Sequence, residues 1–343
     1  MLTAEISETE EAAVGVSVVI PTRGRPGLLA KAVASVLRQD FGSLEVIVVV
    51  DGEDAETRAS LEMFSDTRLR VVELAARVGG AEARNAGVGA ARGKWIAFLD
   101  DDDEWMPHKL SRQIVAARRG RAAWPVVSSR VMVRAGADEF VRPLRTYEPG
   151  SPVGEFLFCR KSLRDGPFAM QTSTLMMPRE LMLAVPFRSG LRRHQDWDWV
   201  LRAERVLGVE FAVVDEPLVV YRTEDGRASV GRAQDWEFSM KWGREMRGHL
   251  SAKAYSWFLA AECASRAVKS GAGIAVYGEI ARRFVLDGRP SLGSAVMLVF
   301  FVGLPQGLRE KFHRLVRSWR RRDSCAAFKD GRGGVRTAIS MEV

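Results

Sequence analysis

An α/β fold with a mostly parallel central sheet flanked by helices is predicted by three observations. Apolar runs of strand length alternate with helix-length amphipathic segments through the first hundred residues, the pattern of βαβ units. The strand runs are nearly continuous in Val, Ile and Leu, as strands covered on both faces must be. Two of them end abruptly in carboxylates, at Asp51 and at Asp100-Asp101-Asp102-Asp103, where an open α/β sheet binds its ligands.

The elements follow in order. Residues 16–20 form a β-branched run closed by Pro21. Leu28, Leu29, Ala32, Val33, Val36 and Leu37 then recur at helical spacing. Residues 45–50 are a second strand, ended by Asp51-Gly52, and Asp54 is placed to cap a helix carrying Leu61, Met63 and Phe64. Residues 69–74 make the third strand, Gly79-Gly80-Ala81 opens a helix to about Ala91, and 94–99 make the fourth strand. Beyond Pro107 the pattern loosens. A helix carries Leu110, Ile114 and Val115. Residues 124–133, 171–177 and 210–221 read as strands, 194–207 as a helix, and 236–286 as a C-terminal helical extension.

At 343 residues with 47% hydrophobic and 27% charged residues, the chain has an ordinary folded composition. Its charge of +8 is concentrated at one end. From Pro305 onward ten Lys and Arg stand against four Asp and Glu, leaving only +2 for everything before. That excludes a nucleic-acid-binding body and points to a basic tail with its own partner. Leu308, Phe312, Leu315, Val316 and Trp319 share one helical face among those basic residues. Such a helix can lie on an anionic membrane surface or dock on the protein. The apolar stretch 292–304 is short of the roughly 20 residues that a membrane span needs. Cys159, Cys263 and Cys325 have no ligand spacing, so a reducing compartment is expected. The acidic start, with Glu5, Glu8, Glu10 and Glu11, does not read as a signal peptide; the expected location is cytoplasmic, with peripheral attachment to the inner face of the membrane. Residues 1–14 and 323–343 are expected to be disordered tails.

Four adjacent carboxylates repel one another and need compensation from water, a helix N-terminus or a divalent cation. Capping of the helix after Pro107 would be the ordinary explanation. Mg²⁺ or Mn²⁺ would be the chemical one, since hard cations take one or two carboxylates plus substrate phosphates.

The motifs combine into a resemblance. Val16 to Pro26 with Pro21-Thr22-Arg23, then Val50-Asp51-Gly52, then Ala83-Arg84-Asn85-Ala86-Gly87, then Phe98-Leu99-Asp100-Asp101-Asp102-Asp103 with Trp105 and Pro107 resemble, in order and spacing, the motifs of family 2 glycosyltransferases. The likeness covers roughly residues 15–230. It implies a GT-A fold (a Rossmann-like α/β sheet), with a nucleotide-binding half at 15–106 and an acceptor half at 107–230, followed by helices at 231–290 and an apolar and basic segment at 291–322.

By that resemblance Pro21, Thr22 and Arg23 flank the nucleotide, Asp51 accepts from the base, and Arg84 lies near the base or diphosphate. The Asp-x-Asp element falls on Asp100, facing the ribose, and Asp102, binding an Mn²⁺ or Mg²⁺ ion that bridges the diphosphate; Asp101 or Asp103 can share the metal role. Asp196, in His194-Gln195-Asp196-Trp197-Asp198, matches the family's catalytic base, with Gln195 where a glutamate is usual and Asp198 the competing candidate. Glu224 stands where a histidine often occurs, either as an oxygen ligand or as a solvated loop charge. His194 is expected to pack or meet the acceptor rather than ligate metal.

The activity implied is inverting, metal-dependent hexosyl transfer from a nucleotide sugar, by resemblance a UDP-sugar, to a glycan or lipid-linked acceptor in surface polysaccharide synthesis. A catalytically inert GT-A module serving as a scaffold is the alternative. A dinucleotide-dependent dehydrogenase is disfavoured, because Pro21-Thr22-Arg23-Gly24 stands where Gly-x-Gly-x-x-Gly would be needed.

Overall fold

The structure, a computed structural model, describes residues 15–120, 122–136, 138–160, 169–223 and 235–304, together with Leu308. The first part alternates as expected: β1 (Val16–Thr22), α1 (Pro26–Leu37), β2 (Leu44–Val50), α2 (Ala55–Leu61), β3 (Leu69–Glu73), α3 (Gly80–Ala90) and β4 (Trp95–Phe98). Strand β1 lies between β2 and β4, parallel to both, and β3 adds in parallel outside β2. Asp54 caps α2, accepting from the Thr57 N–H at 3.0 Å.

The rest comprises β5 (Glu104–Trp105), α4 (Lys109–Arg119), β6 (Trp124–Ala135), β7 (Asp138–Arg142), α5 (Val153–Phe158), β8 (Met176–Pro178), α6 (Arg179–Ala184), α7 (Gln195–Ala203) and β9 (Val209–Arg222). The helices α8 (Trp236–Glu245), α9 (Ala252–Phe258), α10 (Ala264–Lys269), α11 (Ile274–Leu286) and α12 (Leu292–Gly303) follow. Among the described residues nine strands form one sheet in the order β3-β2-β1-β4-β8-β6-β9-β5, with β7 on β6. The sheet is parallel through β4 and mixed beyond it: β8 runs antiparallel to both β4 and β6, while β6 and β9 are parallel. The chain enters β8 from a 3₁₀ turn at Thr172–Thr174, beside the carboxyl end of β4, and can only run back down the sheet. That turn occupies the first half of the stretch predicted as strand.

Alternation along the strands builds two cores. Val18, Ile20, Val46, Val48, Ala97 and Leu99 face α1 and α4, whereas Val19, Ile47, Val49, Ile96 and Phe98 face α3 and the later helices. The second core runs without a break from Trp197 and Trp199 of α7 to Trp242, Tyr255, Phe258, Ile280 and Met297 of the C-terminal helices. A π-helical segment, Leu259–Cys263, joins α9 to α10.

Helix α12 carries no charged residue and leaves Leu292, Val296 and Val299 exposed. No described helix is long and apolar enough to cross a membrane. Of the apolar face proposed for the basic segment, only Leu308 lies among the described residues, and it is exposed; Phe312, Leu315, Val316 and Trp319 lie outside them, as do residues 1–14.

Helix α3 reaches the sheet closely because Gly87 has no side chain. A Cβ there would stand 2.4 Å from Val19 Cγ1 and 3.0 Å from Val49 Cγ2. Neither β-branched side chain can rotate away cheaply. Gly87→Ala is therefore expected to destabilise the protein by about 1–3 kcal/mol, read as a lowered midpoint in denaturant unfolding.

Candidate active site

The rim at the carboxyl ends of β1, β2 and β4 collects Thr22, Asp51 and the Asp100–Asp103 cluster. The cluster does not cap a helix: α4 begins at Lys109 behind His108, with no side-chain cap. Its four side chains alternate. Asp100 and Asp102 are 37% and 32% exposed, Asp101 and Asp103 only 1% and 4%.

The two inward carboxylates are fastened. Thr22 Oγ1 donates to Asp101 Oδ2 at 2.7 Å, and Arg25 Nη2 lies 2.9 Å from Asp101 Oδ1. Burial pushes the Asp101 pKa up to about 6 against the opposing pull of Arg25 and Thr22. Ser173 Oγ donates to Asp103 Oδ2 at 2.6 Å and accepts the Asp100 N–H at 3.1 Å. Burial, reinforced by Asp100 and Asp102, holds Asp103 well above the usual carboxylate range. Beneath the cluster, Trp105 Nε1 donates to the Ser173 carbonyl, and Gln113 Nε2 to those of Thr174 and Val127. Lys109, fully buried 3.8 Å above the Trp105 ring, donates to Gln113 Oε1, and desolvation holds its pKa well below the ordinary value.

Asp51 is engaged with backbone. Its carboxylate accepts from the Val78 N–H at 2.7 Å and the Gly79 N–H at 3.0 Å. It thereby sets the entry to α3, where Gly79 takes φ +94°, a value that L side chains rarely adopt. Pro21 is half-buried and Arg23 exposed on the same rim.

Helix α3 ties the halves of the site together. Arg84 Nη2 pairs with Asp100 Oδ1, and its Nη1 donates to Gln195 Oε1 at 2.8 Å, 111 residues away. The next residue, Asn85, exchanges two 2.9 Å hydrogen bonds with the Phe187 backbone.

Asp196 sits in the first turn of α7. Burial pushes its pKa up to about 6; the Trp197 N–H, donated at 2.9 Å, opposes the rise and the nearby Asp100 charge adds to it. Asp198 points the other way. It is wholly buried, accepts from Trp242 Nε1 at 3.1 Å and pairs with Arg188 and Arg202, so it braces α7 against α8. His194 precedes the helix with φ 61°. It stacks on Trp197, meets Ser239 Oγ at 2.9 Å, and burial keeps its pKa well below the ordinary histidine value. Packing is its role here. The two non-glycine residues with left-handed φ among those described, Met170 and His194, stand three residues before Ser173 and two before Asp196, as locally strained backbone often does at functional sites.

The structure thus brings Thr22, Arg84, Asp100 and Asp102 together at the strand-end rim, with Asp196 close to Asp100 and Arg84. Glu224 lies outside the described residues. Arg25 and Ser173 are bonded to the same acidic cluster and Asn85 to the Phe187 backbone beside it, and sequence reading passed over them. The one available signal for Ser173 was a polar Thr-Ser-Thr run inside an apolar stretch.

The donor set suits a hard divalent cation, being oxygen throughout. No group of three or more carboxylate, histidine or cysteine ligands is assembled among the described residues. The chain therefore offers one or two carboxylates, and phosphate oxygens and water would supply the remaining ligands.

A family model described as Glycosyl transferase family 2 matches residues 17–181. The amylovoran biosynthesis glycosyltransferase AmsB of Erwinia amylovora is 28% identical over 282 residues, 80% of this chain and 91% of that protein. WfgD of Escherichia coli, a UDP-Glc:α-D-GlcNAc-diphosphoundecaprenol β-1,3-glucosyltransferase, is 35% identical over 99 residues, 29% of this chain and 39% of that protein. Among solved structures, residues 1–349 of S. aureus TarS in complex with UDP-GlcNAc superpose with a TM-score of 0.54 at 17% identity, covering 84% of this chain and 80% of that one.

Proposed function

Since this chain is a glycosyltransferase of family 2 with the GT-A fold, we propose that it transfers a hexosyl group, with inversion, from a UDP-sugar to a hydroxyl of a glycan or lipid-linked acceptor in surface polysaccharide synthesis. One observation carries this reading. Asp196, with a raised pKa, faces the strand-end carboxylate Asp100 across Arg84, although 96 residues separate the two in sequence.

Asp196 is the general base. It takes the acceptor hydroxyl proton as that oxygen attacks the anomeric carbon, while the sugar–phosphate bond breaks and its electron pair leaves with the nucleoside diphosphate. A carboxyl poised near pH 6 is ionised at neutral pH and still basic enough to accept the proton. Thr22 and Asp51 shape the rim that receives the nucleotide, Arg84 holds Asp100 toward the ribose, and Asp102 is the outward carboxylate that would hold Mn²⁺ or Mg²⁺. That cation, when bound, neutralises charge developing on the departing diphosphate. The alternation within the cluster favours Asp100 and Asp102 over Asp101 and Asp103 for these roles.

The UDP-linked donor and lipid-linked acceptor of WfgD support the substrate classes. The exposed apolar face of α12, followed by the basic segment from Pro305, supports peripheral attachment at the cytoplasmic face of an anionic membrane. Deleting residues 305–343 is expected to abolish cosedimentation with anionic vesicles; unchanged sedimentation would remove this part of the reading.

The central test incubates the purified protein with UDP-sugars and Mn²⁺ or Mg²⁺ and measures released UDP. Metal-stimulated release supports the proposal. Metal-dependent nucleotide binding that no donor and acceptor combination converts to turnover would turn the reading to a binding scaffold.

Gln195 offers a sharper test of the base. Gln195→Glu adds a negative charge beside Asp196, which disfavours its carboxylate form. The acid limb of the pH–rate profile should move to higher pH, and an unmoved limb would argue that Asp196 is not the titrating group.

A further inference from the structure

The Arg25 guanidinium spans two consecutive carboxylates, with Nη2 2.9 Å from Asp101 Oδ1 and Nη1 3.0 Å from Asp102 Oδ2. It projects from the residue just before α1 and remains 44% exposed. Asp101 is itself held in place by Thr22 and is nearly inaccessible; its Oδ1 meets Arg25 as an ion pair, whereas the Asp102 contact is a hydrogen bond. Asp102 is the outward carboxylate, and its bond to Arg25 uses an oxygen that a cation ligand would need.

We propose that Arg25 is a positioning residue: a built-in counter-cation that holds Asp102 in the absence of nucleotide and makes divalent-cation binding depend on the nucleoside diphosphate. The inference rests on the reading of Asp102 as a metal ligand. A divalent cation on either Asp102 oxygen, at about 2.0–2.2 Å, would set its charge beside the guanidinium that now sits 3.0 Å from Oδ2, and like charges so close repel. That repulsion draws Arg25 off Asp102 when a cation arrives. Without nucleotide, that exchange loses a charge-assisted hydrogen bond and sets two cations side by side. With nucleotide, the freed Nη1 turns to a diphosphate oxygen while Nη2 stays on Asp101. The planar fork of arginine makes that division possible. Cation and diphosphate then favour each other's binding, a coupling that must be reciprocal.

The test is a Mn²⁺ titration of the full-length protein by electron paramagnetic resonance of the free ion, with and without UDP. Arg25→Gln should bind Mn²⁺ alone about tenfold more tightly than wild type, and the enhancement of Mn²⁺ affinity by UDP should shrink by a similar factor. Arg25→Lys, which keeps the charge without the fork, should restore weak Mn²⁺ binding but only part of the UDP enhancement. Equal or weaker Mn²⁺ affinity in Arg25→Gln, with Mn²⁺ still bound, overturns the role of Arg25 and leaves the metal reading intact. If neither protein binds Mn²⁺ even with UDP, or if Asp102→Asn binds it as well as wild type does, the metal reading fails and takes the inference with it.

Discussion

Asp196→Asn is expected to lower sugar transfer by about 10²–10⁴-fold while UDP affinity stays close to that of wild type. The asparagine keeps the shape and can still accept from the Trp197 N–H, the hydrogen bond that holds the carboxylate now. What it loses is the ability to take a proton. With the Asp196 pKa pushed up to about 6, wild-type kcat/KM should fall as pH drops through about 6, and the residual rate of Asp196→Asn should lack that limb. A lower rate that keeps the same acid limb would place the base elsewhere.

Asp101 shares a pKa near 6, but the consequence is different. A carboxyl raised above its ordinary value of 3.8 contributes stability that is fully present below that value. The contribution is lost as pH rises through about 6. Asp101, Asp103 and Asp196 all add to that slope, whereas only Asp196 should add to the rate profile. Unfolding measured from pH 4 to 7 on Asp101→Asn should show a shallower slope with the kinetic limb retained.

Asp102→Asn carries the second large effect. Donor turnover should drop by about 10²–10³-fold, and added Mn²⁺ or Mg²⁺ should no longer stimulate what remains. Asp101→Asn, altering an inward carboxylate, should keep the metal stimulation. The reverse pattern would shift the metal role by one residue. Calorimetry of UDP with and without cation makes the comparison independent of turnover.

Much of this was legible in the sequence because it depends on local chemistry. Near-continuous Val and Ile runs ending near Pro21, Asp51 and Asp100 give strands and their site-facing ends, although β1 carries on through Pro21 to Thr22. Helical geometry separates Asp196 from Asp198 by about 200°, so only one of them can face the cleft. The antiparallel strand β8 was not legible in direction, since its course is set by the need to bring Ser173 under the acidic cluster. Arg25, Asn85 and Ser173 stayed hidden for a related reason. Each is an ordinary polar residue in its own neighbourhood, and its partner lies 70 to 102 residues away. For Asp51 the local signal of a strand-end carboxylate was sound, but the turn it organises, Val78 and Gly79, is visible only once the chain has folded.

The face of α7 opposite Asp196 is completed by Trp242 and Ser239 of α8. Exchange of acceptor specificity between relatives is constrained accordingly. A chimera that grafts residues 107–230 alone onto a foreign C-terminal half would leave Asp198 buried without its Trp242 partner and His194 without Ser239 and the Phe238 and Trp242 rings. Viable recombinants should carry the crossover upstream of α5 and inherit the helices through α12 as a block. In descent, the α7 segment and the C-terminal helices that share its core are then expected to travel together.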